Sequence, residues 1–308
     1  MAFTAQDVKK LREMTNVGMM DCKKALTASD GDMDKAVEWL REKGLAAAAK
    51  KAGRIAAEGM VDAVVKNGIG AIVEVNAETD FASKSDKFVG FVSDVADAII
   101  EKNPADLEAL LNTAYPGTDK TIEAVIPEKI LVIGENIKVR RFSRYDTGVT
   151  VPYVHMGGRI GVLVNMELEG IAPEAVTELG KDLCMQAAAM NPSYLDKAEV
   201  PESVIEHEKE ILILQAKEDP KNASKPQAIL EKMVLGRVGK YYKDNCLMQQ
   251  EFVKDGEKSV EQHVAEVAKQ LGGKIKVVKF VRYEKGEGIE KKVDDFAAEV
   301  AEAAGLKK

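Results

Sequence analysis

IKVRRFSRYDTG (Ile137 to Gly148) and IKVVKFVRYEKG (Ile275 to Gly286) are two versions of one phrase. They agree at Ile, Lys, Val, Phe, Arg, Tyr and Gly, and the first reads as a strand that follows a break at Gly134. The flanks can be aligned too, though the segments just upstream match less well. TIEAVIPEKILVIGENIKV lies against SVEQHVAEVAKQLGGKIKV without a gap, GIGAIVEVN from Gly68 answers RIGVLVNME from Arg159, and Asn103-Pro104 answers Asn191-Pro192. The middle of the chain is therefore two copies of a strand–strand–helix–helix–strand unit. The offset between copies is about 90 residues up to Pro192 and about 138 after Glu257, so roughly 48 residues are inserted in the second copy.

The insertion has its own pattern. ESVIEHEKEILILQAK and KPQAILEKMVLGRVGKYY are amphipathic, and DPKNASKP between them is a polar turn, which predicts an antiparallel helical hairpin. Val204, Ile211, Leu212 and Leu214 must be covered by the return helix, by the body or by another molecule. A projecting arm and a pair buried in the core both satisfy that.

Ahead of the repeat the pattern is helical. Val8, Leu11 and Met14 mark a first helix, and TNVGMMDC breaks it at Gly18. Asp21 is expected to cap a second helix opening with CKKAL. Asp32 opens a third, carrying Ala36, Val37, Trp39 and Leu40, with Gly44 as its stop. LAAAAKKAGR then reads as a helical or flexible linker. In the first copy, Asn67-Gly68 between two apolar runs predicts a hairpin, and Phe88, Phe91, Val92, Val95 and Ala96 share one helix face. GEGIEKKVDDFAAEVAEAAGLKK predicts one more helix, with Phe296, Ala297 and Val300 on its apolar face. The expected class is α+β with antiparallel sheets. The expected divisions are residues 1–55, 56–147, 148–192 with 245–285, the insertion 193–244, and 286–308.

Bulk properties narrow the function. In 308 residues, 45% are apolar and 31% charged, which fits a globular chain of two or three domains. The net charge of -7 gives no global attraction for nucleic acid or anionic lipid. Cys22, Cys184 and Cys246 are few and scattered, as are His155, His207 and His263, so no zinc or disulfide spacing stands out. No glycine-rich phosphate loop is present, and no cofactor or resident metal is expected. MAFTAQDVKK lacks the apolar stretch of a signal peptide and the Arg/Ser-rich pattern of a transit peptide, which points to the cytoplasm.

One loop departs from the repeat. VEVNAETDFASK (Val73 to Lys84) ends a buried strand and then presents Glu78-Thr79-Asp80-Phe81. Thr79 or Asp80 could cap a helix with Phe81 as its hydrophobic staple, or the Asp-Phe pair could face a partner. The sister loop, Glu169 to Ala172, has no such pair. A staple needed by the scaffold would recur, so the difference favours a partner. Elsewhere, the adjacent Met19 and Met20 cannot both be core on one helix, and exposed Met is adaptable contact surface. Lys9 and Arg12 stand one turn apart as a basic contact or a solvated face, and His155 falls at a hairpin turn.

TNVGMMDCKKAL, NAETDF, YVHMGGRIGVLV, ILEKMVLGRVGKYY and GEGIEKKVDDFAAEV, in that order, resemble the bacterial translation elongation factor Ts family from about Thr4 to Val300. The resemblance implies a ubiquitin-associated-like N-terminal bundle, a core of two related halves, a coiled-coil insertion and a C-terminal helix module. It implies a guanine-nucleotide exchange factor, without covalent catalysis, for the GTPase elongation factor Tu. No direct binding of nucleotide, nucleic acid or membrane is implied, and a dimer or a 2:2 complex with the GTPase stays open. By resemblance, Thr79, Asp80, Phe81 and Ala82 enter the GTPase near its magnesium ion. The last is Ala82 where the family often has the larger Val, which trims one apolar contact. Lys9, Arg12, Met19, Met20 and His155 are placed against the same partner. Two other readings of the residues remain: an enzyme with Asp80 and His155 as acid and base in a cleft between the core halves, and a scaffold reading ubiquitin-like or nascent-chain partners through its N-terminal bundle.

Overall fold

Both copies of the repeated phrase are strands, and each belongs to its own three-stranded sheet. The computed structural model describes residues 3–218 and 227–290. In chain order these are α1 (Ala5–Thr15), α2 (Met19–Ala28), α3 (Met33–Lys51), β1 (Glu58–Lys66), β2 (Ile69–Ala77), α4 (Asp80–Ser83), α5 (Asp86–Lys102), α6 (Leu107–Leu111), α7 (Ile122–Ile133) and β3 (Lys138–Tyr145). There follow β4 (Val149–His155), β5 (Ile160–Glu169), α8 (Thr177–Met190), α9 (Glu202–Glu218), α10 (Gln227–Asn245), β6 (Glu251–Phe252), β7 (Asp255–Ser259), α11 (Val260–Gln270) and β8 (Lys274–Glu284). The sheet orders are β1-β2-β3, β4-β5-β8 and a small β6-β7 ribbon. The fold mixes helices with antiparallel hairpins, as the α+β reading expects. No described helix is long and apolar enough to cross a membrane.

The repeat is visible in the joints. Asn103 and Asn191 end α5 and α8 in the left-handed region (φ 48 and 46), each just before its proline. Thr121 and Ser259 cap α7 and α11 with their hydroxyls. Tyr145 and Tyr283, at matching places in the two phrases, are both buried. Asn67 and Gly68 both have positive φ, the backbone of a two-residue hairpin turn with primed geometry.

The chain divides into two compact units. Among the described residues the first comprises 3–62, Val73–Phe142 and 284–290. Its N-terminal helices close on Val8, Leu11, Cys22, Ala25, Leu26 and Leu40, with Leu131 and Val132 of α7 packed against them. Two expectations fail here. Gly44 does not stop α3, which runs on through the supposed linker to Lys51. A Cβ on Gly44 would lie 3.1 Å from the Pro127 carbonyl oxygen, so this glycine allows α3 to approach α7 closely. Asp21 does not cap α2 either. Gly18 holds the cap position, and Asp21 sits inside the first turn, hydrogen-bonded by Lys43. The predicted α5 face is buried throughout.

One carboxylate in this unit is fully buried. Glu74 of β2 accepts from Arg140 (2.9 Å), Arg141 (2.6 Å), Asn76 (3.0 Å) and the Gly286 N–H (2.8 Å). Burial alone would raise its pKa, but these donors outweigh it and hold the carboxyl below the usual glutamate range. Gly286 has φ 70, and a side chain there would collide with the Ala57 carbonyl. Only glycine fits this clasp.

The second unit, Ala63–Ile72 with Ser143–Tyr283, has its core under β4, β5 and α8 around Val151, Val162, Val164, Met166, Leu179 and Leu183. In the inserted hairpin α9 packs on α10 through Leu212, Val234 and Val238, whereas Leu214 and Leu235 are exposed. The predicted DPKNASKP turn and the predicted C-terminal helix with Phe296, Ala297 and Val300 lie outside the described residues. All three cysteines are free and buried, and burial pushes the Cys184 thiol up to about 12.

Candidate functional site

The chain leaves β2 at Ala77 and turns at once into α4, one helical turn long. Thr79 is its cap: the backbone is extended, and Oγ1 accepts from the Ala82 N–H at 3.3 Å. The turn is held from a second direction. Glu135 receives the Thr79 N–H (2.9 Å) and the Thr79 hydroxyl (2.6 Å), and Glu78 receives the Asn136 N–H (2.7 Å) and Arg54 (3.3 Å). Ser83 and Ser85 then return their hydroxyls to the carbonyls of Asp80 and Ala82 at 3.0 and 2.7 Å. Ser85 also caps α5.

On this braced corner Phe81 is 84% exposed. A phenyl ring left in water forgoes about 1.5–3 kcal/mol of burial free energy. The cap expected of the loop is therefore present, and the staple is not. Asp80 beside it is partly exposed and paired with Lys84 at 2.7 Å, which holds its carboxyl below the usual aspartate range and makes it a poor proton donor at neutral pH. Ala82 is buried, so it is a support rather than a contact surface in the free protein. The sister loop has no counterpart to α4. After β5 it passes Gly170 into a single 3-10 turn, Pro173–Val176, with no side-chain cap.

A second exposed group belongs to the same unit. Asn16 ends α1 in the left-handed region, Val17 is buried, and α2 begins with Met19 and Met20, 45% and 64% exposed. Lys87 of α5 donates to the Asn16 carbonyl at 3.1 Å, tying the α1–α2 corner to the helix that follows α4. Lys9 and Arg12 are exposed on α1, with Lys9 loosely paired to Glu13 at 3.8 Å.

His155 belongs to the second unit. It is the last residue of β4, paired across from Ile160, rather than part of the turn. Its Nδ1 is 2.9 Å from the Tyr153 hydroxyl and the two rings stack at 5.8 Å. The turn itself carries Met156, 67% exposed with φ 49. A non-glycine residue in that conformation is uncommon. Sequence reading passed over Met156, although the following Gly-Gly marks it as a hairpin tip. It also passed over Glu135, for which no local pattern exists. No described residues form a group of three or more His, Cys, Asp or Glu able to hold a metal.

The family model described as Elongation factor TS matches residues 78–287. The elongation factor Ts of Clostridium perfringens is 51% identical over 307 residues, covering 98% of this chain and 99% of that protein. That of Trichlorobacter lovleyi is 48% identical over 315 residues and the whole of both chains, and that of Symbiobacterium thermophilum is 50% identical over 99% of both.

Proposed function

Because this chain belongs to the elongation factor Ts family, the nucleotide exchange factors of elongation factor Tu, we propose that its Asp80–Phe81 corner is the element that loosens GDP on that GTPase. The observation that carries this reading is a fully presented phenyl ring on a turn braced through Thr79, Glu78 and Glu135.

GDP on a GTPase is held by a phosphate loop and by a magnesium ion that offsets phosphate charge. A rigid ring packing among the partner's side chains near that ion displaces the groups that orient it. Asp80 brings a carboxylate to the same place. No bond to phosphorus is made or broken, so the accelerated step is dissociation. By linkage, a factor that lowers nucleotide affinity is itself bound less tightly when nucleotide is present, and incoming GTP expels it. Met19, Met20, Lys9 and Arg12 supply adaptable and basic contacts to the GTPase, and His155 with Met156 supplies another from the second unit. The ubiquitin-associated-like bundle, the coiled-coil insertion and the five divisions of the chain belong to the same reading.

Phe81→Ala is expected to cut the factor's acceleration of fluorescent GDP release from elongation factor Tu at least tenfold in stopped flow, with the melting temperature unchanged. An unaltered release rate would remove Phe81 from the mechanism.

A further inference from the structure

The first unit holds a cavity of about 630 Å³ between the N-terminal helices and the α5–α7 layer. Val37 and Leu40 of α3, Phe91 of α5, and Val125, Leu131 and Val132 of α7 form an apolar strip along it, flanked by charged residues of both signs. A concave surface that joins an apolar strip to polar groups can hold a small molecule.

The polar groups are unevenly paired. Lys129 reaches over the stacked rings of Phe91 and Tyr115, 5.7 and 5.2 Å from their centroids, and makes no ion pair among the described residues. The carboxylates near it are engaged elsewhere. Asp94 takes the Tyr115 hydroxyl, Glu128 pairs with Lys120, and Glu38 pairs with Arg41 at 3.5 Å. Lys87, also on the cavity, gives its ammonium to the neutral Asn16 carbonyl. Asp86 stands at the rim in solvent. Lys129 is thus a half-buried ammonium over two rings with no carboxylate at ion-pair distance among the described residues, and Lys87 is a second, exposed cation on the same cavity.

We propose that this cavity binds an anionic amphiphile, a carboxylate on an apolar body, with Lys129 as its charge partner. The apolar body would lie along Val37, Leu131 and Val132, and the carboxylate would pair with the Lys129 ammonium. Burial holds Lys129 below the usual lysine range, against the opposing pull of Asp94 and Glu128 and with a smaller push from Lys87 in its own direction, and an incoming anion would raise it again. The site is separate from the Asp80–Phe81 corner, so its failure would leave the exchange reading untouched.

The test uses the full chain and three probes of equal chain length: decanoate below its micelle concentration, decanol and decyltrimethylammonium. Methyl resonances of Val37, Leu131 and Val132 report occupancy. Decanoate is expected to bind at least tenfold tighter than decanol, and decyltrimethylammonium more weakly than either. Lys129→Met should bring decanoate down to the level of decanol, and Lys129→Arg should keep the preference. Gly90 lines the cavity, and an added Cβ there meets nothing within 4 Å. Gly90→Leu should therefore keep the helix and weaken decanoate and decanol together. Equal affinity for decanoate and decanol in the unaltered chain, a preference that survives Lys129→Met, or no saturable shift at these methyls would each overturn the proposal.

Discussion

At Thr79 one hydroxyl serves two purposes. It accepts the Ala82 N–H that starts α4 and donates to Glu135, using both capacities of the group. Thr79→Ala would lose the cap, about 1 kcal/mol, and half of the link to Glu135. Phe81 would remain, but on a looser turn. Exchange of the Ala82 and Ser83 amides with solvent deuterium should accelerate, GDP release should slow several-fold, and Thr79→Ser should restore both. Glu74 makes the opposite case, a charge wholly inside. Glu74→Gln leaves two guanidinium groups without their carboxylate and is expected to cost about 3–5 kcal/mol in urea unfolding. Its pH dependence has a definite sign. The folded pKa is lowered, so the stabilisation is complete above the ordinary carboxylate range and is lost as pH falls through the lower, folded value. Urea midpoints recorded from pH 7 to pH 3 should fall more steeply in the unaltered chain than in Glu74→Gln.

The elements show how far the sequence carries. The Asn-Gly hairpin, the α5 face and the caps at Thr121 and Ser259 are written within a few residues of where they act, and reading them needs no partner. The duplication was legible for the same reason, since it compares the chain with itself. The misread elements depend on distant neighbours. Gly44 looked like a stop because glycine usually ends helices, but its role is set by Pro127 on another helix. The brace on Thr79 comes from a residue 56 positions away. Exposure of Met156 follows from a turn whose tip, not its strand, carries the side chain. The packing of α3 on α7 also bears on testing the N-terminal helices. Removing them would uncover Leu131 and Val132, so their contribution to partner binding is better read from Met20→Ala by calorimetry. A several-fold loss of affinity with an unchanged melting temperature is expected. Gly44→Val should lower stability by about 1–3 kcal/mol through overpacking, measured by thermal melting.

Across the whole molecule, the first unit is assembled from three separated stretches of chain. The last stretch matters out of proportion to its length. Gly286 gives its N–H to Glu74, Lys285 pairs with Glu58, and Glu287 receives Arg141 at 3.0 Å. A chain ending at Tyr283 would lose about 1.5–3 kcal/mol from the missing bond to Glu74 alone. Hydrogen exchange should then speed up in β2 and leave β5 unchanged. The same clasp constrains the birth of the protein. Glu74 and Gly286 are 212 positions apart, and at about 5–20 residues per second their synthesis is separated by on the order of 10–40 s. Once Arg140 and Arg141 have been made, the nascent first unit carries a carboxylate and two arginines that lack one of their anchors, while Ser143–Tyr283 of the second unit emerges from the ribosome.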